Sequence, residues 1–201
     1  MVSKNDSRML LRARAVVSRE AEAVLKVAPQ IDDSFVSVVQ TIFHCAGHIL
    51  VTGVGTSAAV AARFAHLLSV CGTPAIYINT ADFLHGGSGA IRSEDVLYVF
   101  SKGGQSDEIN ELVKIARARE VKVVAQTEQP DSLLGRMADI VFHISTAGEV
   151  DPFGMMALGS SLVNCAACDA VCVALLELRD YTKEEFGKTH PGGAVGKMLR
   201  N

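Results

Sequence analysis

The sequence predicts an α/β fold: a three-layer αβα sandwich around a five-stranded, parallel, doubly wound sheet. Three observations carry this. Between residues 48 and 144 five short apolar runs alternate with helical stretches, and each parallel crossover needs a helix to cover it. The runs are almost continuously apolar rather than alternating, as strands covered on both faces are. Glycines and hydroxyl residues follow the first and third runs directly, where open parallel sheets bind their ligands.

The elements follow in chain order. Residues 3–28 carry helical periodicity (Met9, Leu10, Ala13, Val16, Val17, Leu25) and stop before Pro29. Asp32, Asp33 and Ser34 offer N-caps for a second helix through Cys45, ended by Gly47. The strands are His48–Thr52, Ala75–Asn79, Val96–Phe100, Val121–Gln126 and Ile140–Ile144, rich in Val, Ile or Tyr. Helices Ala58–Val70 and Asp107–Glu120 and a short turn at Ser132–Met137 lie between them. A long apolar helix is expected over Asp151–Leu178 and a shorter one near Lys183–Gly187, before a turn-rich tail at His190-Pro-Gly-Gly. With no internal repeat, linker or low-complexity stretch, residues 1–201 read as one domain with an N-terminal helical extension to about residue 46.

Composition excludes several function classes. With 49% hydrophobic and 20% charged residues, the 201-residue chain is ordinary globular material, long enough to bury ~70% of its unfolded surface. A formal charge of −3 advertises neither a nucleic-acid nor an anionic-membrane partner. The Arg8, Arg12, Arg14 and Arg19 cluster reads as the wet face of the first helix. The start lacks the apolar segment of a signal peptide, and no apolar run approaches the ~18 residues that span a bilayer. Five cysteines, an odd number, are expected as free thiols in a reducing compartment. A cytoplasmic location follows as the expectation.

The loops carry the chemistry. The first reads Gly53-Val54-Gly55-Thr56-Ser57-Ala58 and the third Ser101-Lys102-Gly103-Gly104-Gln105-Ser106-Asp107, each between a strand and a helix. Both place hydroxyls and small residues at a helix N-terminus, where unpaired N–H groups and the dipole favour an anion. Two such loops near one crevice can grip a phosphate with neutral donors. The plainer alternative is that Thr56, Ser57, Ser101 and Ser106 merely cap helices. A third alternative, the G-x-G-x-x-A dinucleotide fingerprint, wants an acid at the end of the second strand; that strand ends in Asn79-Thr80, with Asp82 late.

Gly55-Thr-Ser, His85-Gly-Gly, Ser101-Lys-Gly-Gly-Gln-Ser, Glu149 and Thr189-His-Pro-Gly-Gly-Ala-Val-Gly, in this order and spacing, resemble the sugar isomerase (SIS) family. Within it the chain is most similar to the arabinose-5-phosphate isomerase group, from about Ile49 to Lys197. The resemblance implies a flavodoxin-like sandwich and a small-molecule phosphosugar held by Gly55, Thr56, Ser57, Ser101, Lys102, Gln105 and Ser106. Two positions depart from that group's pattern: Thr56 stands for its usual Lys, and Gly103 for its usual Ser. Its paired regulatory (CBS) domains would have no room in this length.

Moving a carbonyl between C1 and C2 requires ring opening and a proton shuttle through a cis-enediol, and asks for no metal or cofactor. Glu149, in the loop after the fifth strand, is the expected enediol base, by position and by resemblance. Glu108, in the first turn after Ser106, is the second acid; a dipole-compatible N-terminal carboxylate is its plainer reading. An imidazole titrating near pH 6.5 suits ring opening, which points to His190. By resemblance His190 reaches a neighbouring subunit's site, making a homodimer or homotetramer the expected active form. His85 is a further candidate for contacting the sugar.

Other constellations read as packing. Cys165, Cys168 and Cys172 form one helical stripe among apolar residues. His44 and His48 flank a helix end without a third ligand, and His143, in the last strand, is expected as a satisfied core residue. His66 falls on a helix face. A second class of function stays open: a non-catalytic phosphosugar sensor, which needs the hydroxyl loops but neither Glu149 nor His190.

Overall fold

The computed structural model describes residues 3–146 and 148–198, except the side chains of Lys4 and Val195. Five parallel strands form one sheet: β1 (Ile49–Gly53), β2 (Ala75–Tyr77), β3 (Val96–Phe100), β4 (Lys122–Thr127) and β5 (Ile140–His143). Their order is β2-β1-β3-β4-β5, the flavodoxin-like arrangement, and the order reverses between β1 and β3. Ile49 pairs with Val96 and Gly53 with Phe100, so the loops leaving these two strands start side by side.

Alternation along the strands fills two cores. Val96, Tyr98 and Phe100 face one layer and Leu97 and Val99 the other. The first layer holds α1 (Lys4–Leu25), α2 (Asp33–Phe43), α3 (Thr56–Val70) and α7 (Gly159–Leu178); the second holds α4 (Thr80–Leu84), α5 (Asp107–Ala118) and α6 (Leu133–Met137). Phe64 of α3 packs edge-on to Tyr98 and Phe100, with centroids 4.9 and 6.0 Å away. The chain closes with α8 (Lys183–Thr189) and α9 (Gly193–Met198).

Several expectations need correction. The long helix begins at Gly159 rather than Asp151, because the Asp151 carboxylate accepts the N–H groups of Phe153, Met155 and Met156 and winds them into a turn. The tail after His190 is not only turn: α9 forms there. The 80s segment, unassigned from sequence, supplies α4 and a 3-10 turn at Gly87–Ala90. β2 is partly open, with Ile76 exposed, and His143 at the end of β5 is exposed too, because both strands sit at sheet edges. By length and apolarity α7 does resemble a membrane span. It nevertheless seats Val163, Ala167, Val171 and Leu175 in the core and pairs Asp169 with Arg63 of α3 at 2.7 Å. Arg19, read as part of a wet face, donates to the Glu149 main-chain oxygen at 3.2 Å. His66 is exposed on α3, as its helix-face position suggested.

Candidate active site

The site is built where the strand order reverses. Gly55 is the N-cap of α3 with φ +62° and ψ −131°, a conformation that costs a side chain strain and that glycine adopts freely. It turns the chain so that Thr56 and Ser57 open the helix. On the adjacent loop Ser106 is the N-cap of α5. Neither helix is capped by a side chain. The hydroxyls of Thr56, Ser57, Ser101 and Ser106 take no hydrogen-bond partner from the described residues. The capping alternative therefore does not account for them, and two helix N-termini with unused hydroxyls face the same end of the sheet.

The 101–106 loop is held from behind. The Lys102 carbonyl accepts both the Thr127 hydroxyl and the Glu128 N–H at 3.1 Å, and the Gly104 carbonyl accepts the Leu134 N–H at 3.2 Å. This braces a loop whose Gln105 is exposed, as is Glu108 in the first turn of α5.

Glu149 and Lys102 meet at the centre. Lys102 Nζ donates to Glu149 Oε1 at 2.6 Å, and Ser160 N–H, at the start of α7, approaches Oε2 at 3.4 Å. The Glu149 side chain is 2% exposed, that of Lys102 42%. Burial pushes the Glu149 carboxyl up, but hydrogen bonds from Lys102 and Ser160 and the ammonium charge outweigh it. The group sits below its ordinary value and is a carboxylate at neutral pH. Lys102, expected among the phosphosugar ligands, thus sets its cation against Glu149.

Lys102 shares a narrow cleft with Thr56, Ser57, Ser160, Ser161 and Asn164, enclosing about 30 Å³. Ligand pockets run from about 300 Å³ upward, so this cleft is only a small part of the site, and Ser101, Gln105, Ser106 and Glu149 are not among its lining residues. Neither His190 nor His85 lines the cleft. His190 stacks on Phe186 at 3.8 Å between centroids, its Nδ1 2.9 Å from the Phe186 carbonyl. His85 ends α4 and is exposed.

Sequence reasoning missed a buried polar chain that supports this centre. Tyr98 donates its hydroxyl proton to Gln126 Oε1 at 2.6 Å, and Gln126 Nε2 donates to Asn164 Oδ1 at 2.7 Å. Asn164 Nδ2 in turn donates to the Ser160 carbonyl at 2.7 Å. The available signal was an asparagine inside a mostly apolar helix. The cysteine stripe, by contrast, is packing as expected: Cys168 and Cys172 are buried and all five thiols are free. Burial pushes the Cys168 thiol up. Among the described residues no group of His, Cys, Asp or Glu is arranged to hold a metal ion.

The SIS domain profile matches residues 42–174. Arabinose 5-phosphate isomerase KdsD of Yersinia pestis is 31% identical over 92% of this chain and 57% of its own length. GutQ of Salmonella typhi, of the same enzyme name, is 31% identical over 96% and 60%. The chain therefore spans about three fifths of the length of these relatives. A crystal structure from Listeria monocytogenes, provisionally named a sugar-phosphate isomerase, superposes with a TM-score of 0.90 at 34% identity, covering 96% of this chain and all of that one. An Escherichia coli CFT073 protein in complex with arabinose 5-phosphate gives 0.88 at 26% identity, over 94% and 100%. Fold, loop geometry and these matches agree: the chain belongs to the SIS domain family.

Proposed function

We propose that the protein is an aldose–ketose isomerase of sugar phosphates, with arabinose 5-phosphate the first substrate to try. The observation that carries this is Glu149: a buried carboxylate, held ionised, beside two helix N-termini with unused hydroxyls. A phosphate gripped at Thr56, Ser57, Ser101, Gln105 and Ser106 would leave the far end of the open-chain sugar near a base that is unprotonated at neutral pH. Glu149 moves the proton between C2 and C1 through a cis-enediol, a step that asks for no metal. His190 opens the ring, with Glu108 and His85 as further polar contacts. The relatives named for this activity and the neighbour solved with arabinose 5-phosphate support the substrate class.

His190 acts in the site of another subunit. The exposed apolar residues of α1 and of the turn before α7 support a homo-oligomeric active form. A sensor without catalysis has less behind it. The Vibrio vulnificus NanR protein complexed with ManNAc-6P shares the fold at 21% identity, but a sensor gives no role to an ionised, buried Glu149.

Exchange of the C2 proton in deuterated water tests the reading. The unaltered chain is expected to exchange it on arabinose 5-phosphate or a related aldose phosphate. Glu149→Gln should lose exchange by at least about 10²-fold, the scale of general-base catalysis, while still being stabilised thermally by the same sugar phosphate. Tight binding with no exchange across a broad panel would instead establish the sensor.

A further inference from the structure

The Lys102–Glu149 pair is more than the phosphate cradle requires. A lysine needs no carboxylate to stay charged, and here a half-exposed lysine is paired with a buried glutamate. Here the ammonium stands at the mouth of the cleft, 2.6 Å from Glu149 and 4.0 Å from Glu128 Oε1. Glu128 is committed elsewhere, accepting the Thr146 N–H at 3.2 Å and the Thr146 hydroxyl. Arg19 of α1 reaches only the Glu149 main-chain oxygen, and α7 offers the N–H and hydroxyl of Ser160, both uncharged. Among the described residues Lys102 is thus the one cation on the Glu149 carboxylate, and it remains open to solute.

We propose that Lys102 is a catalytic residue whose ammonium follows the negative charge from the Glu149 carboxylate to the enediolate oxygens. This rests on the isomerase reading above. In the forward step Glu149 takes the proton from C2 of the open-chain aldose phosphate. The C–H electron pair becomes the C1=C2 bond, and the carbonyl π pair moves onto O1. One negative charge has left the carboxylate, now neutral, and appeared on O1 beside the same ammonium. The O2 proton passes to O1 across the cis edge, and the O2 pair re-forms the carbonyl at C2. The C1=C2 pair then takes back the proton from Glu149 at C1, and the carboxylate is restored. A donor already in place where charge develops needs no reorganisation during the reaction, which is why such groups matter more to kcat than to binding.

Steady-state kinetics of Lys102→Met and Lys102→Arg on sugar phosphates tests this, with binding followed by thermal shift. Lys102→Met is expected to lower kcat by about 10²–10³-fold, as loss of one oxyanion donor does, with the dissociation constant changed by less than about tenfold. Its kcat/KM should also lose its acid limb at a higher pH. Glu149 must be ionised to act, and without the cation its carboxyl rises, so protonation silences it sooner. Lys102→Arg, which keeps the charge, should recover part of kcat. A variant that weakens binding with kcat intact would make Lys102 a phosphate ligand and overturn the proposal. Unchanged kinetics would overturn it equally. Should the Met variant melt earlier, Lys102→Gln of similar reach gives the same comparison. If the unaltered chain isomerises nothing in the panel, the isomerase reading falls and takes this proposal with it; activity that survives Lys102→Met removes the proposal alone.

Discussion

At Gly104 the backbone takes φ +63°, and a Cβ there would collide with Ser132 Oγ. That hydroxyl is already occupied, accepting the Gly135 N–H at 3.1 Å to cap α6. At the adjacent Gly103 a Cβ would meet nothing within 4 Å. Gly104→Ala should therefore destabilise by about 1–3 kcal/mol, lowering Tm by several degrees, through strain at positive φ plus the clash. Gly103→Ser should stay within about 0.5 kcal/mol, as open surface changes do. Thermal melts of the two variants check this, and equal shifts would show that the loop is not braced by Ser132. Sequence alone placed both glycines in a ligand loop, and resemblance marked Gly103 as a departure, but neither gave the space around them. The difference lies in Ser132, a residue of another loop.

Among the elements, α7 shows best where pattern and structure part. Its apolar body was legible, but its start was not: Asp151-Pro152 has the look of an N-cap followed by a first-turn proline. Asp151 does cap N–H groups, those of a tight turn eight residues before the helix that forms. The same helix carries Asn164, which links Ser160 beside Glu149 to Gln126 and Tyr98 in the sheet. Removing Asn164 strands the buried Gln126 amide, and removing Gln126 strands the buried Tyr98 hydroxyl, each at about 1–3 kcal/mol. Asn164→Ala and Gln126→Ala should each destabilise by that order in urea unfolding. The double variant should fall short of their sum by about 0.5 kcal/mol or more. Strict additivity would mean that the two side chains do not act as a unit.

For the whole molecule, the uncovered apolar surface matters most. Met9, Leu10, Leu11, Val17 and Leu25 of α1 are exposed, as are Leu162 and Val173 of α7 and Phe153 and Met155 of the turn before it. The periodicity of α1 was legible in the sequence, yet that helix docks its own chain mainly near its C-terminal end, through Ala23. Surface of this extent suits an assembly of like chains, and the proposal that His190 serves a neighbouring site makes the assembly measurable. Glu149→Gln and His190→Ala chains, each inactive alone, should regain activity when refolded together. In an equal mixture about a quarter of the sites would pair an intact Glu149 with an intact neighbouring His190. No recovery in a verified mixed oligomer would place His190 in its own chain's site or outside the chemistry.

What the sequence determined by itself was the parallel α/β architecture and the two hydroxyl loops. Both are local: apolar runs, crossover lengths and glycine-bearing turns are written in contiguous residues. Only the tertiary structure decided that Lys102 stands against Glu149 and that Asn164 reaches Gln126. Lys102 and Glu149 are 47 residues apart, and Asn164 and Gln126 are 38 apart. Contacts of that kind depend on strand order and helix register, which no local spacing encodes.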